Sequence, residues 1–349
     1  MKKLFLILLV FLSSLVKCTG LSENPNINPD QDKDKKQYTA SFLSLFDTVT
    51  YVVGLSETKE AFEKTANELH DKLEVYHQLF DIYHTYEGIN NIKVINDNAG
   101  IKEVLVDSII IEFLLDCKEY YNLTNGKVNV AMGSVLSLWH DARSDAYDNP
   151  FEAKLPDENA LIAAKEHINF DSIVIDEEKS TVYISDPLCK LDVGAIAKGW
   201  SVQKVALEYT EGLLISVGGN VVATGPKKVN TPWVVGIQMH NNPKEYLHTL
   251  NIMKGCVVTS GDYQRKYVVD GKQYHHIIDP DTLYPSNYWH AVTIICDDSG
   301  VADMLSTALF LLPLEEGKLL LKQFNAEAVW VDMEDKVFYS TGFQQYIKI

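Results

Sequence analysis

Residues 191–206, LDVGAIAKGWSVQKVA, carry an acid, a run of small residues and one lysine where a strand is expected to give way to a helix. Leu191 to Val193 read as the end of that strand, and Gly194 allows the turn. The apolar spacing through Val202, Val205 and Leu207 predicts a helix over 197–209. A helix N-terminus edged by small residues lets an anion approach the backbone N–H groups, and Lys198 adds a positive charge there. The same pattern also serves an ordinary tight turn with a solvated lysine.

Upstream of this stretch, SIVID and TVYIS flank Glu178 and Lys179 as a hairpin. Downstream come the strand-like segments LLISV, WVVGI, HTLNIM, YVVDGKQYHHII and AVTIIC, interrupted by helices after Gly194, after Gly300 and near Glu315. In the first half, Phe62, Ala66, Leu69, Leu73, Tyr76 and Phe80 recur at steps of four and three. They predict an amphipathic helix with Ser56 as its cap. Further helices are expected near 107–121 and after Asp157, which is placed to cap. This mixed order argues for an α+β fold, without the regular alternation of a dinucleotide-binding sheet.

The N-terminus begins with two lysines, then an apolar run from Leu4 to Val16, then Cys18. The run falls short of the ~20 residues that a membrane span needs. It has the layout of a secretory signal over 1–18, with Cys18 where a bacterial lipoprotein carries its lipidated residue, although Lys17 replaces the usual small residue before it. Residues 19–37 are polar, charged and proline-interrupted and read as a flexible tether. Residues 38–349 suffice for one large domain or two intimately packed lobes, expected outside the cytoplasm and held to the membrane by lipid, with a retained anchor or plain secretion as the alternatives. The net charge of -17, with no basic stripe interleaved with aromatics, argues against a nucleic-acid partner. Cys117, Cys189, Cys256 and Cys296 are scattered without C-x-x-C spacing and read as buried free thiols.

Three further segments offer chemistry. Gly218-Gly219 follow a buried strand and permit close backbone approach to a ligand. Ser260-Gly261-Asp262 end another strand, and His275-His276 lead into Asp279-Pro280. Neighbouring strand residues face opposite sides, so at most one of the histidines faces a given pocket. The plain reading of His276 is a partly buried histidine bonded to a carbonyl. Asp303 and Thr307, four apart on a predicted helix, share a face and are hard oxygen ligands of the kind that suit Mg²⁺. Capping and local backbone bonding would explain them equally.

Seven motifs in order, FDTVTYVVG, FDIYHTYEGINNIKVINDNAG, GKVNVAMGSVLSLW, LDVGAIAKGW, SVGGN, TSGDYQRKYVVDGKQYHHIIDPDTLYP and ADMLSTALF, span 46–310. Together they resemble the ApbE family of bacterial flavin transferases. The resemblance implies a T-fold-like α+β domain of mixed helices and mainly antiparallel sheet. It implies FAD as substrate and Mg²⁺ as cofactor, with the FMN half joined through a phosphoester to a Thr or Ser of an acceptor protein and AMP released. By family position the metal ligands are the main-chain oxygen of Ala195 with Asp303 and Thr307, and Lys198 meets FAD. Phe46, Thr48, Phe80, Asp81, Ile82, Asn129, Ser260, Gly261 and Ile277 fall at cofactor-binding positions, and His276 is the catalytic histidine, with Asp279 placed to orient it. Three places depart from the family pattern: Phe46-Asp47-Thr48 stands for Met-Gly-Thr, Asn129 for an aspartate, and Asp281 and Leu283 for the Arg and Gly of DPRTGYP. An FAD pyrophosphatase, with water as acceptor, and a non-enzymatic flavin-binding lipoprotein are the competing functions.

Overall fold

The computed structural model describes residues 34–43 and 45–349. Cys18 and most of the tether read from the sequence therefore lie outside the described residues. In chain order the elements begin with β1 (Lys36–Leu43), β2 (Val49–Ser56), α1 (Lys59–Phe80), α2 (Ile92–Asp97), β3 (Val104–Leu105) and α3 (Ser108–Leu123). Then come α4 (Gly133–Asp148), α5 (Glu158–Lys165), β4 (Ile173–Asp176), β5 (Thr181–Ile184), α6 (Ala197–Ala206), β6 (Leu213–Val217) and β7 (Asn220–Ala223). The chain closes with β8 (Trp233–Gln238), β9 (Tyr246–Ile252), β10 (Gly255–Gly261), β11 (Lys266–Val269), β12 (Lys272–His275), β13 (Trp289–Cys296), α7 (Ser299–Phe310), α8 (Leu314–Leu321), β14 (Ala326–Asp332) and β15 (Val337–Tyr339).

Eight strands form one sheet in the order β1-β2-β6-β7-β10-β13-β14-β15, and every pairing in it is antiparallel. Its two faces are read directly from the period-two alternation of a strand. In β10, Cys256 and Val258 join the main core under the helices, while Val257 turns to the other side. There the hairpin β8–β9 covers the sheet, with Trp233, Val235, Ile237, Leu250 and Ile252 packed on Val257, Ile295 and Val329. A third cluster joins Val135 and Trp139 of α4 to Tyr267, Ile278 and Leu283. Among the described residues no helix is long and apolar enough to cross a membrane.

Several local expectations shift. Ser56 ends β2 and does not cap α1; Thr58 is the cap, its hydroxyl accepting from Ala61 N–H at 3.2 Å. β1 takes in Lys36 and Gln37, two residues read as tether. No strand precedes the turn at Gly194: Lys190 forms only an isolated bridge with Met132. α6 stops at Ala206, three residues before the predicted end. Asp157 caps its helix as read, and Asp107, where a helix was expected to begin, caps α3.

The seam between α6 and α7 fixes the site. A methyl group on Gly199 would meet Ser299 O at 2.3 Å and Asp303 Cβ at 2.5 Å, so only glycine lets the two backbones approach this closely. Gly199→Ala is expected to destabilise the fold by about 1–3 kcal/mol by overpacking. It should also displace Asp303. Denaturant melts of the variant check this, and a wild-type midpoint would show that the seam has slack.

Candidate active site

The loops at one end of the main sheet meet α4, α6 and α7 around a cavity of about 700 Å³. Every site residue expected from the sequence within the described residues lines it: Phe46, Thr48, Phe80, Asp81, Ile82, Asn129, Ala195, Lys198, Ser260, Gly261, His276, Ile277, Asp303 and Thr307.

On α7, Asp303 and Thr307 face the cavity one turn apart. The Asp303 carboxylate is buried, and its Oδ2 accepts the N–H of Gly199 at 2.9 Å. α6 has no side-chain cap of its own, so this carboxylate serves as one from outside the helix. The anion at the α6 N-terminus is thus a side chain of the protein. Burial pushes the Asp303 carboxyl above its ordinary pKa, against the charge of Lys198, the Gly199 N–H and the Asn220 amide. The Thr307 hydroxyl makes no hydrogen bond among the described residues. A buried carboxylate short of positive charge beside an unpartnered hydroxyl, with oxygen donors only, fits a hard divalent cation such as Mg²⁺. Lys198 projects from the first turn of α6, and its Nζ donates to Gly194 O at 2.8 Å.

The two histidines separate as strand geometry requires. His275 is buried and pinned, Nε2 to Ser286 O at 2.6 Å and Nδ1 to Ile277 N at 3.2 Å. The carbonyl-bonded histidine is therefore His275 rather than His276. His276 faces the cavity, and its Nδ1 is sealed from solvent with no hydrogen-bond partner. Its pKa is pushed down to about 3, by burial first and then by Arg265, His275, Arg143 and Lys198, so the ring is neutral. Asp279 does not orient it. That carboxylate is taken by Lys127 Nζ at 2.9 Å and by Asp281 N–H at 2.9 Å.

Other expected contacts are made through neighbours. Burial works against ionisation of Asp81, yet the Tyr83 N–H, the Tyr86 hydroxyl, and the His84 N–H and ring outweigh it and hold its pKa below the ordinary value. Asp81 thereby organises the loop after α1. Asn129 donates to Ile168 O and accepts from Ala131 N–H, shaping the loop before α4, and Ser260 bonds Ser306. Two of the departures noted in the sequence have a common form: Asp47 and Leu283, at glycine positions of the motif, both adopt left-handed backbone, with φ of 53° and 65°. Such residues cost of order 1–3 kcal/mol each. Lys127, Lys165 and Trp139 clamp the second of these loops, through Asp279 and Asp281, Asp281 O and Leu283 O respectively.

The family model for ApbE matches residues 46–330. The chain belongs to the ApbE family. Among relatives, an FAD:protein FMN transferase of Klebsiella pneumoniae is 29% identical over 278 residues, covering 76% of this chain and 84% of its own. One from Treponema pallidum is 29% identical over 311 residues, covering 82% and 84%. The crystal structure of an ApbE protein from Thermotoga maritima superposes with a TM-score of 0.79 at 26% identity, over 90% of this chain and all of that one. The flavin transferase ApbE from Vibrio cholerae gives 0.74 at 21% identity over 89% of this chain and 99% of its own, a likeness of fold. The site residues read from the ApbE motifs left out Arg143, Arg265, Lys127, His77, Tyr83 and Tyr86, which also line the cavity, although Lys127, Tyr83, Tyr86 and Arg265 stand inside those motifs. For the arginines a signal existed: the sequence has only these two.

Proposed function

We propose that this chain is an FAD:protein FMN transferase, which joins the FMN half of FAD to a Thr or Ser hydroxyl of an acceptor protein and releases AMP. The observation that carries the reading is the convergence, on one cavity, of a neutral histidine with an orphaned Nδ1, a lysine, and the Asp303–Thr307 oxygen pair. In the reaction R–OH + FAD → R–O–FMN + AMP, the acceptor oxygen bonds the flavin-side phosphorus. The bond from that phosphorus to the bridging oxygen breaks, and AMP leaves with the electron pair. His276, whose neutral ring lines the cavity, is the residue placed to take the hydroxyl proton. Lys198 faces the charge that gathers on the phosphates. Asp303 and Thr307, with the main chain of Ala195, are the residues that would hold Mg²⁺, which when bound neutralises phosphate oxygens. The family relatives named as FAD:protein FMN transferases support the same assignment.

The test is direct. The purified protein, FAD, Mg²⁺ and a protein bearing a Thr-containing acceptor segment are incubated and the acceptor is weighed by mass spectrometry. An FMN-sized increment is expected; free FMN and AMP with an unmodified acceptor would make the enzyme a pyrophosphatase. We further propose that the protein works outside the cytoplasm, anchored by lipid at Cys18, on acceptors that are extracytoplasmic redox proteins. Labelled lipid is expected on the wild type and not on Cys18→Ser. An unlabelled wild type would show that Lys17 blocks processing.

A further inference from the structure

Arg143 and Arg265 are the only arginines among the 31 basic residues of a chain with net charge -17, and both line the cavity. Arg143 projects from α4, half-buried, and its one hydrogen bond runs from Nη2 to His140 Nδ1 at 3.3 Å. Arg265 stands exposed at the cavity mouth, between β10 and β11. Neither guanidinium has a carboxylate partner among the described residues. Lys127, in contrast, lines the same cavity with two carboxylates bound to it. The arginines also act on each other: burial first, and then the like charge of Arg265, push the pKa of Arg143 down against the influence of Tyr147. Two like charges held together without a counter-ion cost free energy, which an anion between them recovers. Guanidinium offers a planar fork that grips two oxygens at once, where lysine offers a point charge.

The fields of Arg265, Arg143 and Lys198 all fall on His276. Lys198 also acts on the Asp303 carboxyl, so the two arginines carry the charge that no carboxylate holds. A pyrophosphate, or the nucleoside monophosphate left after its cleavage, carries two negative charges and matches that pair. We propose that Arg143 and Arg265 form a phosphate clamp, which grips the phosphate end of a nucleotide at the cavity mouth and steadies the charge that develops as the pyrophosphate breaks. This inference rests on FAD as the substrate. It makes the arginines substrate-binding groups in addition to Lys198.

Calorimetric titration of the whole protein with FAD, AMP, FMN and riboflavin tests it, using Arg143→Gln, Arg265→Gln, the double variant and the corresponding Lys variants. Each Gln change is expected to weaken FAD by about 10- to 100-fold, the size of a lost charge-assisted hydrogen bond. Riboflavin, which has no phosphate, should bind all variants alike, and Lys should restore part of the loss. Whichever of AMP and FMN weakens in parallel names the phosphate held. The unliganded double variant should melt no lower than wild type, since a repulsion has been removed. FAD, AMP and FMN binding unchanged in the double variant overturns the clamp. A raised KM for the acceptor alone, with FAD affinity intact, overturns it in favour of a docking role. If the wild type binds AMP or FMN but not FAD, and the variants lose that binding, the clamp stands and the transferase reading falls.

Discussion

Asp303→Asn is expected to slow FMN transfer by roughly 10²–10³-fold or more, in the range found when one electrostatic partner of a transition state is removed. The fold should survive, because the asparagine oxygen can still accept the Gly199 N–H that Asp303 takes at 2.9 Å. The unliganded variant should even melt slightly higher at neutral pH. Burial raises the folded-state pKa of this carboxyl above its unfolded value. Its favourable contribution is therefore present below the unfolded pKa and lost as pH rises through the folded one, so the asparagine gains on the wild type as pH rises. Adding cation should restore part of the activity, since Thr307 and the Ala195 main chain remain. Activity against Mg²⁺ concentration, with melting curves beside it, decides the matter: an unchanged metal dependence in the variant would remove Asp303 from the cation site.

His276→Ala is the second large effect, a loss of about 10²–10⁴-fold in transfer with FAD affinity nearly intact. His275→Ala should differ in kind. It breaks the bonds to Ser286 O and Ile277 N and lowers stability before it touches chemistry. The pH profile supplies an independent check. With its folded-state pKa pushed down to about 3, His276 stays neutral where an ordinary imidazole charges. Between the unfolded value of 6.5 and about 3, the unfolded chain binds the extra proton and the native one does not. Stability therefore falls as pH drops through that window, and the His276 variant should lose less of it. For the free enzyme, the acid limb of kcat/KM should lie well below 6.5; a limb centred there in wild type and absent from the variant would contradict a neutral ring.

The site was more legible in the sequence than the fold around it, for a physical reason. Asp303 and Thr307 are one helical turn apart, and their shared face follows from spacing alone. The ordered motifs brought the remaining cavity residues together without any need to place strands. α4 escaped notice because its buried positions, Val135, Trp139 and Ala146, are too sparse to announce a period. β1 was read as tether in part because its outward residues are charged or polar, as an edge strand's are. Choosing between His275 and His276 needed the turn after β12, which sends one ring to Ser286 and the other to the cavity. The departures at Asp47 and Leu283 were visible as letters, but only the backbone dihedrals showed that both are left-handed positions filled without glycine.

The closeness of α6 and α7 at Gly199 has a bearing on which ion the proposed site would accept. A seat walled by side chains can breathe, because rotamers swing and ligands move out to a larger radius. Here the Asp303 carboxylate is itself held by the main chain of α6, which lies against Ser299 O with no room for a methyl group. The place of that ligand is set by how near two backbones can come, which thermal motion changes little. Mg²⁺ demands near-octahedral geometry at about 2.0–2.1 Å, whereas Ca²⁺ spreads its ligands to about 2.3–2.6 Å and tolerates irregular shells. If the proposed site holds Mg²⁺, a frame this stiff would act as a gauge for ionic radius, and helix packing would add to the discrimination that the ligands' chemistry supplies.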